Sequence, residues 1–314
     1  MSAMFVTRTL RALVMFAGLL AAQAHAGERT LETRYGPLTL NGEVKRVVTL
    51  YEGALDSSVA VGITPVGAVA TRGGDGVAGY IQQQVENVAM VATTRETNLE
   101  AVIALQPDLI LASSTLPEEQ YRLLSAVAPT LVPDVEYYQP DTWKNEALAY
   151  ARALGREARM KRVLAGLDER AEGLQQRVQR QLPEQDRQAV LARWMPQGAL
   201  MMSTRLFSTS LLAAAGFDVQ DGGIVKAGRP HSSPLSLENL SLMDEDWIFM
   251  ATLNEDGRAA MAAAESSPAF ARLSAVARNR VMPVDGQVWT SASGPLAAGV
   301  ILDDIERILE QAEN

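Results

Sequence analysis

Residues 156–180 carry twenty-five residues of unbroken helical periodicity. Met160, Val163, Leu164, Leu167, Ala171, Leu174 and Val178 recur at three- and four-residue steps, which places them on one helix face. At 1.5 Å per residue such a helix reaches roughly 38 Å, long enough to run from one domain to another. Pro183 ends it. On either side the pattern changes to short apolar strands alternating with helices. Strand-like runs fall at 47–51, 65–70 and 109–113 before the long helix, and at 189–194, 247–251 and 281–284 after it. Short helices follow at 55–62, 99–105 and 210–216, and a closing helix at 296–311. Such alternation predicts an α/β chain: two similar α/β lobes with mostly parallel sheets, bridged by one long rigid α-helix, with a ligand cleft between the lobes. The boundaries read as 27–155 for the N-terminal lobe, 156–180 for the bridging helix and 181–314 for the C-terminal lobe. Residues 27–41 read as an N-terminal arm or hairpin, with Tyr35-Gly36-Pro37 as its turn.

An internal echo supports the two-lobe reading. Leu99-Glu100 is followed by Val102, Leu105, Asp108, Leu109 and Ile110; Leu237-Glu238 is followed by Leu240, Met243, Asp246, Trp247 and Ile248. In both copies the Glu precedes the Asp by eight residues and an apolar strand follows.

Composition narrows the chemistry. The chain has no cysteine, which removes disulfides, zinc knuckles, iron–sulfur clusters, thiol catalysis and a lipidated N-terminal cysteine. Only His25 and His231 are available, too few for a multi-histidine zinc site. A net charge of -9 disfavours a dedicated nucleic-acid partner. Residues 1–26 read as a cleaved signal peptide. Arg8 and Arg11 form a basic start, 12–22 is an apolar run too short to span a bilayer, and Ala24-His25-Ala26 is a cleavage site. No later apolar run is long enough for a membrane span, so the expectation is a monomer in the periplasm without membrane insertion.

The ordered motifs resemble a known family. Asn98-Leu99-Glu100, Leu105, Pro107-Asp108-Leu109-Ile110-Leu111, Ala128-Pro129-Thr130, Trp143 leading to Leu154-Gly155, Leu237-Glu238-Asn239-Leu240 with Asp246, and Trp289 followed by Gly294-Pro295 stand in this order. Together they are similar to periplasmic substrate-binding proteins for ferric siderophores and vitamin B12. The resemblance covers nearly the whole mature chain. It implies two lobes joined by a rigid helix, an Fe(III)-siderophore chelate as ligand, no cofactor and no catalysis, and an inner-membrane ABC permease with its ATPase as partners. It further implies that Glu100 and Glu238, on the outer faces of the two lobes, pair with arginines of the permease.

Ligands of open α/β sheets bind beyond the carboxyl ends of the strands. The residues there are Tyr51 and Glu52, Arg72, 113–115, Trp194, Arg205, Arg229 and Trp289. Arginine suits an anionic chelate, because its fork donates several hydrogen bonds and keeps its charge; aromatic rings supply flat walls. The expected ligand set is therefore Tyr51, Arg72, Trp194, Arg205, Arg229 and Trp289. Arg95 joins it because it falls one residue from a ligand-contacting arginine of the resembled family. Tyr51, Tyr80, Tyr137 and Tyr138 are candidate haem or iron ligands, and His231 reads as an exposed loop residue.

Two other readings stay open. Vitamin B12 or haem would use the same fold with more aromatic stacking or a tyrosine ligand. An exported hydrolase would need His231 as base beside Ser203 or Ser291, without the usual G-x-S-x-G elbow. Gly74 to Gly79 matches G-x-G-x-x-G in letters only. Thr71 and Arg72 separate it from the strand, so it reads as a cleft-edge loop.

Overall fold

The computed structural model describes residues 28–312. The segment read as a signal peptide lies outside them. The described chain begins with a hairpin, β1 (Arg29–Thr33) and β2 (Gly36–Leu40), paired antiparallel. The turn is Arg34-Tyr35, one residue earlier than the sequence suggests, and Gly36 opens the second strand with φ 106.

Five parallel strands follow: β3 (Val47–Thr49), β4 (Gly67–Val69), β5 (Ala89–Ala92), β6 (Leu109–Leu111) and β7 (Thr130–Leu131). Their order is β5-β4-β3-β6-β7, so the winding reverses between β3 and β6. Helices α1 (Glu52–Ala60), α2 (Gly79–Gln82), α3 (Leu99–Ala104) and α4 (Glu118–Ser125) connect them. Helix α5 (Thr142–Ala153) then leads into the long α6 (Glu157–Gln181). Gly155 separates the two: it adopts φ +67, a region where only glycine is free of Cβ strain, and lets Arg156 N–H reach back to the Ala151 carbonyl. At the far end Leu182 is extended ahead of Pro183, as a residue before proline must be.

The second sheet holds β8 (Gln188–Met195), β9 (Gly198–Met201), β10 (Asp218–Val219), β11 (Trp247–Thr252) and β12 (Val281–Asp285). Its order is β10-β8-β11-β12, all parallel, and β9 folds back antiparallel on the last residues of β8. That hairpin departs from the first sheet and was not legible as a strand pair. Helices α7 (Phe207–Ala214), α8 (Glu255–Glu265), α9 (Ser274–Ala277), α10 (Gly286–Thr290) and α11 (Pro295–Ala312) complete the chain.

The Glu–Asp echo has a physical explanation. Asp108 accepts the backbone N–H groups of Lys45 (2.7 Å) and Arg46 (2.9 Å), just ahead of β3. Asp246 accepts that of Gln188 (3.1 Å), the first residue of β8, and binds Arg278. In each sheet the aspartate satisfies a donor at the start of the neighbouring parallel strand that the ladder leaves unpaired.

The buried face of α6, Met160, Leu164, Leu167, Ala171, Leu174 and Val178, belongs to one continuous core. That core also holds Val47 and Leu109 of the first sheet, Leu191 and Phe249 of the second, and Ile301 and Leu302 of α11. Helices α6 and α11 pack together, and α11 also touches α1 and α7. The last helix therefore returns across the molecule and ties both sheets together. Its first turn is held by Asp56 of α1. Asp56 accepts Leu296 N–H on Oδ1 and Ala297 N–H on Oδ2, each at 2.8 Å, and the Tyr80 hydroxyl donates to Oδ2 at 2.9 Å. A Cβ on Gly294 (φ +118) would lie 2.6 Å from Oδ1, so only glycine admits this approach.

Asp56 is fully buried, and desolvation raises its pKa to about 7 despite these hydrogen bonds. The folded state thus holds the proton more tightly than the unfolded chain. Stability should fall as pH rises between about 4 and 7, and level off above that, at about 1.4 kcal/mol per unit of difference. Asp56→Asn lacks this slope while keeping one cap acceptor. Thermal unfolding of both proteins from pH 4 to 8 should show wild type losing ground to the variant as pH rises. A wild-type advantage that grows with pH would show that the N–H pairs outweigh burial.

Candidate functional site

A cleft lined from both lobes lies between the two sheets and encloses about 230 Å³. Tyr51 and Arg72 follow β3 and β4, and Tyr137, Tyr138, Thr142, Trp143 and Glu146 come from α5 and the loop before it. The facing wall is Arg193 near the end of β8, Arg205, Phe207 at the start of α7, Pro230-His231 and residues 289–293, from the end of α10 into the turn before α11. β3 and β6 on one side and β8 and β11 on the other are the points where strand order reverses, where a crevice opens in such sheets.

Hydrogen bonds and rings link the two walls. Ser291 donates to Glu52 Oε1 (3.4 Å), while Glu52 also accepts the Thr71 hydroxyl (3.1 Å) and Arg72 N–H (3.2 Å). Ser293 hydrogen-bonds Tyr51. Trp143 meets Phe207 edge-on at 5.3 Å.

The cleft gathers some of the expected residues and not others. Tyr51, Arg72, Arg205 and Trp289 line it. Arg72 and Arg205 are exposed in it. Trp289 is a wall rather than a free platform: it is 1% exposed, stacks on Phe249 at 5.3 Å and donates its indole N–H to Asp304. Trp194 does not reach the cleft. It points into the outer core of the second sheet against Phe270, because adjacent strand residues face opposite ways. Arg95 is an exposed turn residue that does not line the cleft. Arg229 lines a second depression of about 370 Å³ with Lys226, which meets the cleft only at His231. His231 is half-buried and lines the cleft instead of standing free, with Nδ1 2.7 Å from the Ser232 carbonyl oxygen. The Ser291 hydroxyl is turned to Glu52, so it forms no nucleophile–base pair with His231. Tyr80 is spent on Asp56, outside the cleft, whereas Tyr137 and Tyr138 stand at its rim.

Two site residues escaped the sequence reading. Arg193 is 4% exposed, and its Nε has no partner. Burial and then the nearby Arg72 charge lower its pKa to about 10, leaving it charged at neutral pH. Glu146 is 2% exposed and accepts the Ser114 hydroxyl at 2.6 Å. Burial raises its pKa, opposed by Ser114 and Tyr51. A legible signal existed for Glu146. It is the one charge on the apolar stripe Trp143, Ala147, Tyr150 and Ala151 of α5.

Comparison with known proteins places this arrangement. A family model described as periplasmic binding protein matches residues 47–288. The chain belongs to the periplasmic binding protein family. A Bacillus subtilis relative named probable siderophore-binding lipoprotein is 30% identical over 276 residues, covering 83% of this chain and 81% of that one. The achromobactin-binding periplasmic protein of Dickeya dadantii is also 30% identical over 276 residues, covering 84% and 86%. The crystal structure of Staphylococcus aureus SirA complexed with staphyloferrin B superposes with a TM-score of 0.75 at 26% identity, covering 90% of this chain and 98% of that one.

In this binding protein, the guanidinium of Arg193 is a buried charge with no ion pair among the described residues, which costs stability at rest. Arg193→Met keeps an unbranched chain and removes the charge. Its Tm should rise, by about 2–4 °C for each kcal/mol recovered. A fall in Tm on thermal unfolding would instead assign Arg193 to the packing of β8.

Proposed function

We propose that this protein captures an anionic ferric siderophore in the cleft and delivers it, chemically unchanged, to an inner-membrane ABC transporter from the periplasm. The single observation that carries the reading is Arg193: a buried guanidinium, short of hydrogen-bond acceptors, facing a cleft that also holds Arg72 and Arg205. Three arginines converging on an empty space, with no ion pair to any of them among the described residues, ask for an anion. The names of the relatives supply the class of anion. Among the described residues, no group of three or more His, Cys, Asp or Glu side chains could hold a metal ion. No helix among them is long and apolar enough to cross a membrane.

Delivery requires a surface for the transporter. Glu100 stands exposed in the first turn of α3, whose N-cap Asn98 accepts Ala101 N–H at 3.0 Å. Glu238 stands exposed at the matching place in the second sheet's unit, on a 3-10 turn over Leu237–Met243, where Ser236 donates to its carboxylate at 2.8 Å. Each precedes its strand by the same spacing, so the two acids sit in corresponding positions on the two lobes.

Tryptophan fluorescence titration against ferric citrate, ferric hydroxamate and catecholate chelates, cobalamin and haem tests the ligand. Trp143 and Trp289 line the cleft and should be quenched by one ferric chelate. Arg193→Met should weaken that chelate by about a hundredfold, the usual scale for a lost charge-assisted pair. Saturable binding of cobalamin or haem alone would replace the ligand; silence across the panel would remove the reading.

The double variant Glu100→Ala, Glu238→Ala should leave the titration unchanged and abolish iron uptake in cells that depend on this protein. Weakened ligand binding in that variant would move the glutamates out of the docking role.

A further inference from the structure

The acid in the cleft has no use in the reading above. Glu146 projects from the first half of α5, and its wall faces a cleft whose other charges are basic. Its Oε1 accepts both the hydroxyl (2.6 Å) and the backbone N–H (3.4 Å) of Ser114, and the Tyr51 hydroxyl also bonds to the carboxyl. These are donors directed inward at an acceptor. The surroundings are built for a carboxylate, yet no ion pair among the described residues reaches it. The charged and titratable groups bearing on it are few. Tyr51, from the start of α1, hydrogen-bonds to it, and Tyr137 at the rim and Tyr150 one turn along α5 feel its charge. Arg72 instead acts on Glu52, Tyr137 and Arg193. The arginines do not neutralise the one acid in their own cleft.

A buried carboxyl, aimed at a cavity and left without a cation, is matched by a ligand that brings one. We infer that Glu146 is a specificity subsite for a protonated amine of the ligand, so that the cleft selects a chelate with carboxylates for the arginines and an ammonium for Glu146. The inference rests on the proposed capture of a ferric chelate and narrows its chemistry. The Ser114 and Tyr51 hydrogen bonds hold the carboxylate in place for the amine, and Tyr51 ties it through Ser293 to the opposite wall.

The test uses two synthetic ferric chelates that differ at one atom. In the first, two citryl groups are joined by diethylenetriamine, whose central amine is cationic. In the second they are joined by 1,5-diaminopentane, which has a methylene there. Ferric citrate is the third probe. Calorimetric titration of the full-length mature protein should show wild type preferring the amine chelate by about tenfold, the scale of one charge-assisted hydrogen bond. Glu146→Gln should bring that ratio close to one, whatever it does to both affinities. The wild-type ratio needs no variant, so the inference stays exposed even if Glu146→Gln fails to fold. Binding of the chelates with no preference for the amine, or a preference that survives Glu146→Gln, overturns the subsite alone. Failure of all three chelates to bind overturns the subsite, and the proposed capture of a ferric chelate falls with it only when the hydroxamate and catecholate chelates also fail to bind.

Discussion

The two sheets are held in register by a carboxylate that neither of them owns. Asp56, one turn into the first helix of the N-terminal lobe, closes the N-terminus of the last helix of the chain, 240 residues away in sequence. The exposed N–H groups of a helix start carry partial positive charge, so a carboxylate there is favourable even as burial opposes its ionisation. The cleft sits directly on this joint. Tyr51 and Glu52, at the start of the same helix, hydrogen-bond to Ser293 and Ser291, just ahead of the helix that Asp56 caps. With α6 and α11 sharing one core that reaches both sheets, the floor of the cleft is part of the folded interior rather than a flexible seam.

A floor of that kind can hold charges that a looser site could not. Arg193 is fixed by the ladder on both sides of β8, and Glu146 by α5 and Ser114. Neither forms an ion pair among the described residues. The desolvation of each ionisable group is offset by the packing of the shared core, and such uncompensated burial marks functional positions more often than structural ones. Glu52 is the contrast. It is half-buried, and Arg72 N–H, Thr71 and Ser291 satisfy it, which suits a structural link across the walls.

Much of the architecture was legible in the sequence because it depends on periodicity. The bridging helix runs over Glu157–Gln181 against an expected 156–180, and the β3, β6, β8, β11 and β12 strands fall where apolar runs stand. The β8–β9 hairpin was not legible, since Gly198–Met201 is short and runs on into the apolar Met202. The site was harder for a specific reason. Strand β8 is buried on both faces, so its alternation carries no polar side to set the parity. Trp194 and Arg193 are adjacent candidates, and only the fold shows that Ala189 and Leu191 share the Arg193 face while Val190 and Ala192 share that of Trp194. Arg95 and Arg229 follow strands or turns as the rule requires, but sequence position along a loop does not say which way the loop leans.

The rigidity of the shared core also bears on how such a protein can hold its ligand. Large closure movements spend binding energy on reorganisation, whereas groups fixed in advance spend little. Here the arginine fork, the carboxylate and the aromatic walls are set by strands, helices and the Asp56 joint before any ligand arrives. The cost falls on the empty protein, as unpaired buried charge, and is returned when an anion and a cation occupy their places together. A ligand with only one of the two charges recovers only part of it. With the proposed ligand, selectivity in this cleft would follow from what the folded protein leaves unsatisfied.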